Sequence, residues 1–399
     1  MTILNSRTKQ KGNSLPASTP AAFSARHGRN GAHGSQSFFR GEHANFYPAD
    51  ESLEGDGCIA GYLGKNLVPA RPFISKATNI VAFGSCFAKN ISKYLVERGY
   101  NVTTARDDMA YIARMGDGIV NTFAIRQQFE WAWQNRVPEV DLWHGWDAAG
   151  VGYDEAVRLR TRALFDAAEV FVITLGLSEV WYDEPTGEVF WRAVPMDRMD
   201  PARHKFRLTT TAENLANLQA IRALIRRYRP DAAMVVTLSP IPLAATFRDI
   251  PCIVANSVSK SVLRVAIDEF HRDCRSRNEK VFYFPSYEVV LNAFRQPFCE
   301  DRRHVYSHVL NLNMRVFERY FCDSGLTDAD LNATWTAARA KDRRLAQFGH
   351  KAIAIGGGKE FRREVRRNER MRERMEARRA GKRAELLDAG RFTDQEYIA

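Results

Sequence analysis

Short apolar runs alternate with longer amphipathic stretches between residues 73 and 322. Buried strands of a parallel sheet are nearly continuous in apolar residues, whereas an amphipathic helix repeats them every three to four positions. The pattern predicts strands over residues 79–83, 101–104, 170–175, 233–238 and 281–284. It predicts helices over residues 87–98, 125–133, 214–228 and 258–274, and a last helix after Tyr306. Strands that alternate with helices in this way indicate a parallel sheet covered by helices on both faces.

Two flanking segments lack this alternation. Residues 1–50 are rich in Ser, Gly, Asn, Ala and basic residues, which predicts a largely disordered N-terminal segment. Residues 326–399 are highly charged, and between Lys359 and Arg383 they hold twelve basic and five acidic side chains, a net +7 of the chain's +11. Strong helix formers without an apolar stripe predict a solvated tail that is helical or disordered. A second interpretation is an electrostatic grip on nucleic acid or another anionic partner. We therefore expect one domain, over residues 51–325, between two appendages.

The cysteines and the N-terminus bear on the cellular compartment and on bound groups. The six cysteines contain no C-x-x-C pair, which argues against a zinc site or a disulfide framework and fits a reduced, cytoplasmic setting. The N-terminus lacks the apolar stretch of a signal peptide, and no run of about 18 apolar residues predicts a membrane span. Neither H-E-x-x-H nor a phosphate-binding loop motif occurs, so we expect no metal and no cofactor.

Ser85 lies in the turn between the first predicted strand and the first predicted helix. Ligand sites of parallel sheets form at the carboxyl ends of the strands, and this turn is at such an end. Gly84 permits a tight turn, and the start of the helix places the Ser85 hydroxyl beside free backbone N–H groups that would stabilise an oxyanion. The same local pattern fits a serine that only caps the helix. Cys86 is either a rival nucleophile or a small buried residue, and the turn is not the G-x-S-x-G of α/β-hydrolases.

Five consecutive residues, Gly84-Ser85-Cys86-Phe87-Ala88, resemble the motif that names the GSCFA domain family. Further blocks resemble that family in the expected order, at residues 174–181, 238–240, 255–263 and 283–288. The resemblance covers roughly residues 73–324. It implies membership of the SGNH/GDSL-like hydrolase superfamily and a three-layer α/β/α sandwich with a parallel, flavodoxin-like sheet of about five strands. It also implies ester chemistry with Ser85 as the nucleophile.

A base is expected from the sequence Glu300-Asp301-Arg-Arg-His304, just before the last predicted helix. A serine hydroxyl needs an adjacent base, and an Asp-x-x-His loop can direct a carboxylate and an imidazole to one side of a turn. The spacing alone also fits a surface loop in which Asp301 pairs with a neighbouring arginine. The resemblance implies that Asp301 orients His304 and that His304 activates Ser85. His308, one helical turn later, is the competing base.

Three donors to an oxyanion are implied by the resemblance. They are the backbone N–H of Ser85, that of Gly118 after the second strand, with Asn121 close by, and a donor in the turn after the third strand. That turn, Gly176-Leu-Ser-Glu, lacks the Asn of the Gly-x-Asn-Asp found in the wider superfamily. Gly176 alone, or Ser178 or Asn121, therefore has to donate. An ordinary loop glycine and a helix-capping asparagine are the alternatives for Gly118 and Asn121.

Residues near these turns predict a substrate cleft, formed by His144, Ser178, Glu179 and Trp181. Glu179 cannot donate a hydrogen bond when it is ionised. His144 lies within Trp-His-Gly-Trp, a cluster that fits either a sugar- or acyl-binding surface or an aromatic insertion packed on the domain.

Two functions are consistent with these features. The first is a serine-dependent ester hydrolase or O-acyltransferase that forms an acyl-serine intermediate, with acetylated carbohydrate as the substrate class by analogy of fold. The second is a binding or scaffold protein that keeps the fold without the chemistry and holds an anionic partner with its basic tail. The missing Asn and the tail motivate the second function.

Overall fold

The computed structural model describes residues 22–27, 34–39, 45, 47–114, 118–141, 154–191 and 194–349. The chain forms two compact units, Met1–Cys58 and Ile59–Ala399. In the first unit, strand β1 (Ala22–His27) pairs antiparallel with strand β2 (Gly34–Phe39). Composition predicts a largely disordered segment there and gives no sign of this hairpin.

The second unit carries the other strands and the α-helices of the described residues. In chain order the strands are β3 (Ile80–Gly84), β4 (Val170–Leu175), β5 (Glu179–Asp183), β6 (His204–Leu208), β7 (Ala233–Leu238) and β8 (Val281–Tyr283). The helices are α1 (Cys86–Glu97), α2 (Tyr111–Arg114), α3 (Thr122–Gln134), α4 (Glu155–Ala167), α5 (Thr211–Tyr228), α6 (Cys252–Ser276), α7 (Ser286–Ala293), α8 (Ser307–Phe321) and α9 (Asp328–Phe348). Short helical turns cover Asp50–Leu53, Ile59–Gly64, Thr103–Ala105 and Met196–Arg198. A membrane-crossing helix, sufficiently long and apolar, does not occur in the described part of the chain.

The central sheet has four parallel strands in the order β3-β4-β7-β8, and β5 pairs with β6 in a separate antiparallel ribbon. The strand predicted over residues 101–104 is reduced to a single parallel bridge from Val102 to β3. The reason lies in the two residues that follow. The hydroxyl of Thr104 bonds both the N–H and the C=O of Ala82, and the hydroxyl of Thr103 donates to the first carbonyl of β3. These side chains occupy the edge groups that the backbone of a fifth strand would pair.

Helices cover both faces of the sheet, because alternate strand residues point to opposite sides. On one face, Phe83 of β3 packs against Phe129 of α3 and Phe165 of α4, in a core that also includes α5 and α6. On the other face, α1 packs on β3, and Phe284, just after β8, contacts Phe317 of α8. All residues of β3, β4 and β7 are buried, as expected for strands covered on both faces. The fold is a three-layer α/β/α sandwich.

Helix α9 lies in the segment that the charge pattern assigns to the tail. A capping box between Thr327 and Asp330 begins the helix, and the helix packs on α8 with Trp335 buried. The guanidinium of Arg339 donates to the carbonyl of Ala293 at 2.6 Å. The first part of the predicted tail is therefore a packed helix, whereas the basic run between residues 359 and 383 lies outside the described residues.

Candidate active site

The nucleophile turn is shaped by Gly84, the last residue of β3. Its φ of +128° is in the region that favours glycine, and a Cβ there would lie 2.1 Å from the carbonyl oxygen of Thr174. The absence of a side chain lets the turn approach β4 closely. As a result, the backbone N–H of Ser85 donates to the Thr174 carbonyl at 3.0 Å and to the Thr174 hydroxyl at 2.7 Å.

Ser85 caps the N-terminus of α1, as the local pattern allows. Its Oγ accepts a hydrogen bond from the N–H of Phe87 at 3.2 Å and shares another with the Thr174 hydroxyl at 2.9 Å. Only 4% of the residue is exposed. Cys86, the first residue of the helix, is partly exposed, so burial does not remove it as a rival nucleophile. The hydroxyl of Ser85 therefore lies at the positive end of α1, already engaged with Thr174.

Asp301 and His304 form the contact that the resemblance implies and that their spacing allows. The Nδ1 atom of His304 is hydrogen-bonded to one carboxylate oxygen of Asp301, and the other oxygen accepts from the N–H groups of Arg303 and His304, both at 3.0 Å. Partial burial opposes ionisation of Asp301, but the hydrogen bonds from the imidazole and the two amides outweigh it and lower the pKa of the carboxyl below its ordinary value. With Nδ1 held by Asp301, the Nε2 atom of His304 is the nitrogen that can face a substrate or a nucleophile.

His308 is in a different environment from His304. It is buried, stacks on Tyr306 at 5.5 Å between ring centroids and meets the edge of Phe294 at 6.2 Å. Burial, with a smaller contribution from the charge of Lys341, lowers the pKa of His308 to about 4. It is therefore an enclosed, neutral imidazole at neutral pH. This environment favours His304 over His308 as a base that a substrate can reach.

The direction of two helices brings Ser85 and His304 to the same edge of the sheet. Helices α1 and α8 pack together, and near their C-terminal ends Glu318 of α8 accepts from the hydroxyl of Tyr94 and pairs with Arg98 at 3.3 Å. At about 1.5 Å per residue, Ser85 lies about 13 Å and the start of α8 about 16 Å before this link. Phe282 contacts Phe321 and Phe284 contacts Phe317, so α8 runs antiparallel to β8. The loop that carries His304 immediately precedes α8 and therefore lies towards the carboxyl edge of the sheet, where Ser85 also lies.

Asp301 contacts His304, but His304 is not hydrogen-bonded to Ser85 in the described part of the chain. Among the described residues, the Ser85 hydroxyl bonds Thr174 and the N–H of Phe87, whereas the ring of His304 bonds Asp301. No hydrogen bond between the Ser85 hydroxyl and His304 is present in this part of the chain. The side chains of His304 and Asp301 are 48% and 41% exposed, whereas Ser85 is 4% exposed.

Two of the three expected oxyanion donors already have acceptors. The N–H of Ser85 is held by Thr174, and the N–H of Gly176 donates to the carbonyl of Val120 at 2.8 Å. A Cβ at Gly176 would lie 2.9 Å from the Cβ of Val120, so the loop before α3 and the turn after β4 touch at this point. Gly118 forms an antiparallel bridge with Ser85, which places it beside the nucleophile as expected.

Asn121 and Ser178, the two substitute donors, have structural partners. The side chain of Asn121 caps α3 by accepting from the N–H of Ala124 at 2.8 Å, which is the helix-capping alternative. The hydroxyl of Ser178 donates to the carbonyl of Ser259 at 3.1 Å, and the N–H of Ser178 donates to the Ser259 hydroxyl at 2.9 Å. Both residues are buried. Ser178 thus ties the turn after β4 to α6.

The expected cleft residues are partly brought together. Glu179 is buried, accepts from the hydroxyl of Thr246 at 2.7 Å and pairs with Arg248 at 3.3 Å. Trp181 packs against Phe247 at 5.0 Å, and Phe247 is 58% exposed. Both contacts are made to the loop between β7 and α6. This loop therefore presents the exposed ring of Phe247 beside the partly buried ring of Trp181, whereas His144 lies outside the described residues.

Lys260, which the sequence pattern did not single out, contacts the turns that follow β4 and β7. Only 2% of it is exposed, and its Nζ donates to the carbonyl of Gly176 at 2.6 Å and to that of Ser239 at 2.8 Å. Burial lowers the pKa of Lys260 to about 7, against a smaller opposing effect of the Cys86 thiol. The signal available in the sequence was its position on α6, three residues before Leu263 on the apolar face of the helix, where a lysine is unusual.

Comparison with known proteins agrees with this architecture. The model of the GSCFA family matches residues 79–317, which include Ser85, Lys260, Asp301 and His304. The search of curated proteins finds no match to the chain. In the described part of the chain, no three His, Cys, Asp or Glu side chains are grouped to hold a metal ion. The family match extends over more than half of the chain and includes the nucleophile turn, so the protein belongs to the GSCFA family.

Proposed function

We propose that this protein is a serine-dependent ester hydrolase or O-acyltransferase that works through an acyl-serine intermediate. Ser85 is the nucleophile, His304 is the base and Asp301 orients the imidazole. The observation that carries the proposal is the Asp301–His304 contact, formed at the edge of the sheet where Ser85 begins α1. An oriented imidazole and a serine at a helix N-terminus are the two parts that acyl transfer to serine requires.

The reaction consists of two acyl transfers. Nε2 of His304 takes the proton of the Ser85 hydroxyl as the oxygen attacks the ester carbonyl. The protonated imidazole then gives that proton to the departing alkoxide, which leaves an acyl-serine. In the second transfer, His304 takes a proton from the acceptor hydroxyl, which attacks the acyl group, and Ser85 recovers its proton. Water as acceptor gives a hydrolase, and a sugar hydroxyl gives an O-acyltransferase.

Formation of the oxyanion requires a rearrangement of the Ser85 hydrogen bonds. The Ser85 hydroxyl and N–H both contact the Thr174 hydroxyl, so a substrate carbonyl has to compete with Thr174 for them. The N-terminus of α1 and the backbone at Gly118 are the nearest elements that can stabilise the developing charge. Because the Ser85 hydroxyl and the ring of His304 have separate partners, the proposal also requires the loop that carries His304 to approach Ser85 when substrate binds.

The substrate class is proposed from the fold and from the exposed ring of Phe247 beside Trp181. Acetylated carbohydrates are substrates of related folds, and an aromatic pair such as Trp181 and Phe247 can pack on the apolar face of a sugar or on an acyl group. We therefore propose a glycan O-acyl ester as the substrate class.

An activated acetyl ester tests the proposal without knowledge of the natural substrate. Wild-type protein mixed with p-nitrophenyl acetate should release a burst of about one nitrophenol per chain, as an acyl-enzyme accumulates. Ser85→Ala should abolish the burst. Ser92→Ala is the matched control, because it removes a hydroxyl from the same helix, where Ser92 donates to the carbonyl of Ala88 at 2.9 Å. A burst that survives in Ser85→Ala would refute the proposal.

A second function is favoured by the burial of Ser85 and by the occupied N–H groups of Ser85 and Gly176. It is a non-catalytic binding or scaffold protein whose basic tail holds an anionic partner. In that case wild-type protein shows no burst, and RNA or another polyanion binds to it in a salt-dependent manner. Deletion of residues 357–399 should remove that binding. Normal binding by the deleted chain would exclude the tail as the contact.

A further inference from the structure

Lys260 connects two turns that end neighbouring strands of the sheet. Gly176 follows β4 and Ser239 follows β7, and the Lys260 Nζ donates to the carbonyl oxygens of both. The N–H of Ser239 in turn donates to the carbonyl of Leu175 at 2.8 Å. A single side chain from α6 thereby fixes the relative position of two adjacent turns at the carboxyl edge.

The turn that Lys260 holds is the one that departs from the wider superfamily. The Asn expected after the third strand is absent, and Gly176 is instead held on both sides. Its N–H donates to Val120 and its C=O accepts from Lys260. Ser178 in the same turn is tied to Ser259, the residue before Lys260. The turn is therefore anchored by α6 and by the loop that follows Gly118.

The position of this anchor connects it to Ser85. Thr174, two residues before Gly176, is the residue whose carbonyl and hydroxyl bind the N–H of Ser85. A shift of Gly176 would move the end of β4, and with it the partner of the nucleophile. Neighbouring strands of a sheet lie about 4.8 Å apart, so the lysine acts about one strand away from Ser85.

Lys260 supplies hydrogen bonds that an apolar side chain could not. Burial of a charged ammonium costs free energy, and an apolar side chain of similar length would avoid that cost but would leave the carbonyls of Gly176 and Ser239 without this donor. The lowered pKa of Lys260, about 7, is a sign of this cost. In the neutral amine form, the two N–H groups match the two carbonyl acceptors, and in the ammonium form a third N–H is added.

We propose that Lys260 is a positioning residue of the Ser85 site, which holds the turn after β4 in the shape that acyl transfer requires. This inference rests on the proposed function. It differs from the roles of Asp301 and His304, because Lys260 acts through the backbone of Gly176 and Ser239 and not on the substrate.

The test compares Lys260→Met with Arg339→Met in the full chain. Arg339 of α9 is a matched control because it is also buried and donates to a backbone carbonyl, but that of Ala293 at the end of α7, not one in the turns after β4 and β7. The probe is a fluorophosphonate, and the readouts are the maximal rate and the final extent of labelling at Ser85. A misplacement of the site by about 1 Å lowers a rate on the order of 100-fold. We expect that loss in the rate for Lys260→Met, with an unchanged probe concentration at half-maximal rate.

Rate and extent separate positioning from misfolding. Misfolded chains lower the extent of labelling, whereas a displaced turn lowers the rate in chains that are folded. Arg339→Met should label at the wild-type rate, whatever its extent. A wild-type rate in Lys260→Met, or an equal loss of rate in Arg339→Met, would overturn the inference.

Hydrogen exchange separates this inference from the proposed function. Lys260→Met removes the donor to the carbonyls of Gly176 and Ser239, so the two turns should open locally more often. The N–H groups of these residues should therefore exchange at least about 10-fold faster in Lys260→Met, and at the wild-type rate in Arg339→Met. If wild-type protein is not labelled at all, the proposed function fails, and the exchange alone decides whether Lys260 holds the turn. Unchanged exchange in Lys260→Met would overturn the inference in either case.

Discussion

Ser85 and the Asp301–His304 pair reach the same edge of the sheet in different ways. Ser85 is 4% exposed and held by β4 through Thr174, whereas the side chains of Asp301 and His304 are 41% and 48% exposed in a loop. The geometry of the turn that carries Ser85 depends on the packing of the sheet. The geometry of the loop that carries Asp301 and His304 depends on hydrogen bonds within the loop. The Asp301 carboxylate accepts from two backbone N–H groups and contacts the imidazole of His304.

This difference in burial predicts which substitutions will change stability and which will change the rate of the proposed reaction. A buried turn keeps its geometry because packing holds it, but a substrate can reach Ser85 only if neighbouring residues move. An exposed loop is accessible to substrate, but only its own hydrogen bonds fix the orientation of the imidazole of His304. Apart from replacement of Ser85 itself, substitutions in the turn should therefore mainly change stability, and substitutions in the loop should mainly change the rate of the proposed reaction.

Among substitutions that leave Ser85 in place, the largest effect on rate is expected for His304→Gln. Removal of a general base lowers the rate of phosphonate labelling at Ser85 about 10²- to 10⁴-fold. The free energy of unfolding should change by less than about 0.5 kcal/mol, because the side chain is half exposed. Labelling kinetics and urea unfolding measure the two quantities.

His308→Gln sharpens the same prediction. His308 is buried between Tyr306 and Phe294, so its replacement should lower stability and the extent of labelling but leave the rate of labelled chains near the wild-type value. A rate loss as large as that of His304→Gln would transfer the role of base to His308.

Gly84→Ala should cause a large loss of stability, although Gly84 takes no part in the proposed proton transfer. The new Cβ would lie 2.1 Å from the Thr174 carbonyl at a φ of +128°, so β3 and β4 would have to separate. We expect a loss on the order of 3 kcal/mol in the free energy of unfolding. Gly99→Ala is the control: its φ is +80°, but no atom lies within 4 Å of the added Cβ, so a loss of about 1 kcal/mol is expected. Equal losses in urea unfolding would contradict the close approach of the two strands.

The smallest effect concerns the pH dependence of the Asp301 carboxylate. Its pKa in the folded chain lies below the ordinary value of 3.8, so folding favours the ionised form. The stabilisation is therefore complete well above that value and is lost as the pH falls through it towards the folded pKa. Because the group is well exposed, the effect should stay below about 1 kcal/mol. The difference in unfolding free energy between wild type and Asp301→Asn should shrink as the pH falls from about 6 to about 3. A difference that grows would refute the assigned hydrogen bonds.

Local spacing predicted the features that depend on neighbouring residues. The strand that ends at Gly84 and the helix cap at Ser85 follow from the apolar run and the turn. The spacing of three residues allows the contact between Asp301 and His304, and the family resemblance distinguished it from pairing of Asp301 with a neighbouring arginine. In these cases the partners are close in the chain, so a short stretch of sequence contains the whole interaction.

Features that depend on distant residues could not be predicted in this way. The fifth strand is missing because the hydroxyls of Thr103 and Thr104 occupy the edge of β3, although their apolar and β-branched neighbours suit a strand. The N–H of Gly176 is occupied by a residue 56 positions earlier, Val120. Lys260 meets Gly176 across 84 positions, and nothing in a helical pattern states which turn its side chain will reach.

The most direct test of the central claim is to locate the phosphonate adduct. Wild-type protein is treated with a fluorophosphonate, digested and analysed by mass spectrometry. We predict one adduct, on Ser85, which is retained in Cys86→Ala and lost in Ser85→Ala. An unmodified Ser85 in the wild-type chain, or an adduct that persists in Ser85→Ala, would contradict the assignment of Ser85 as the nucleophile.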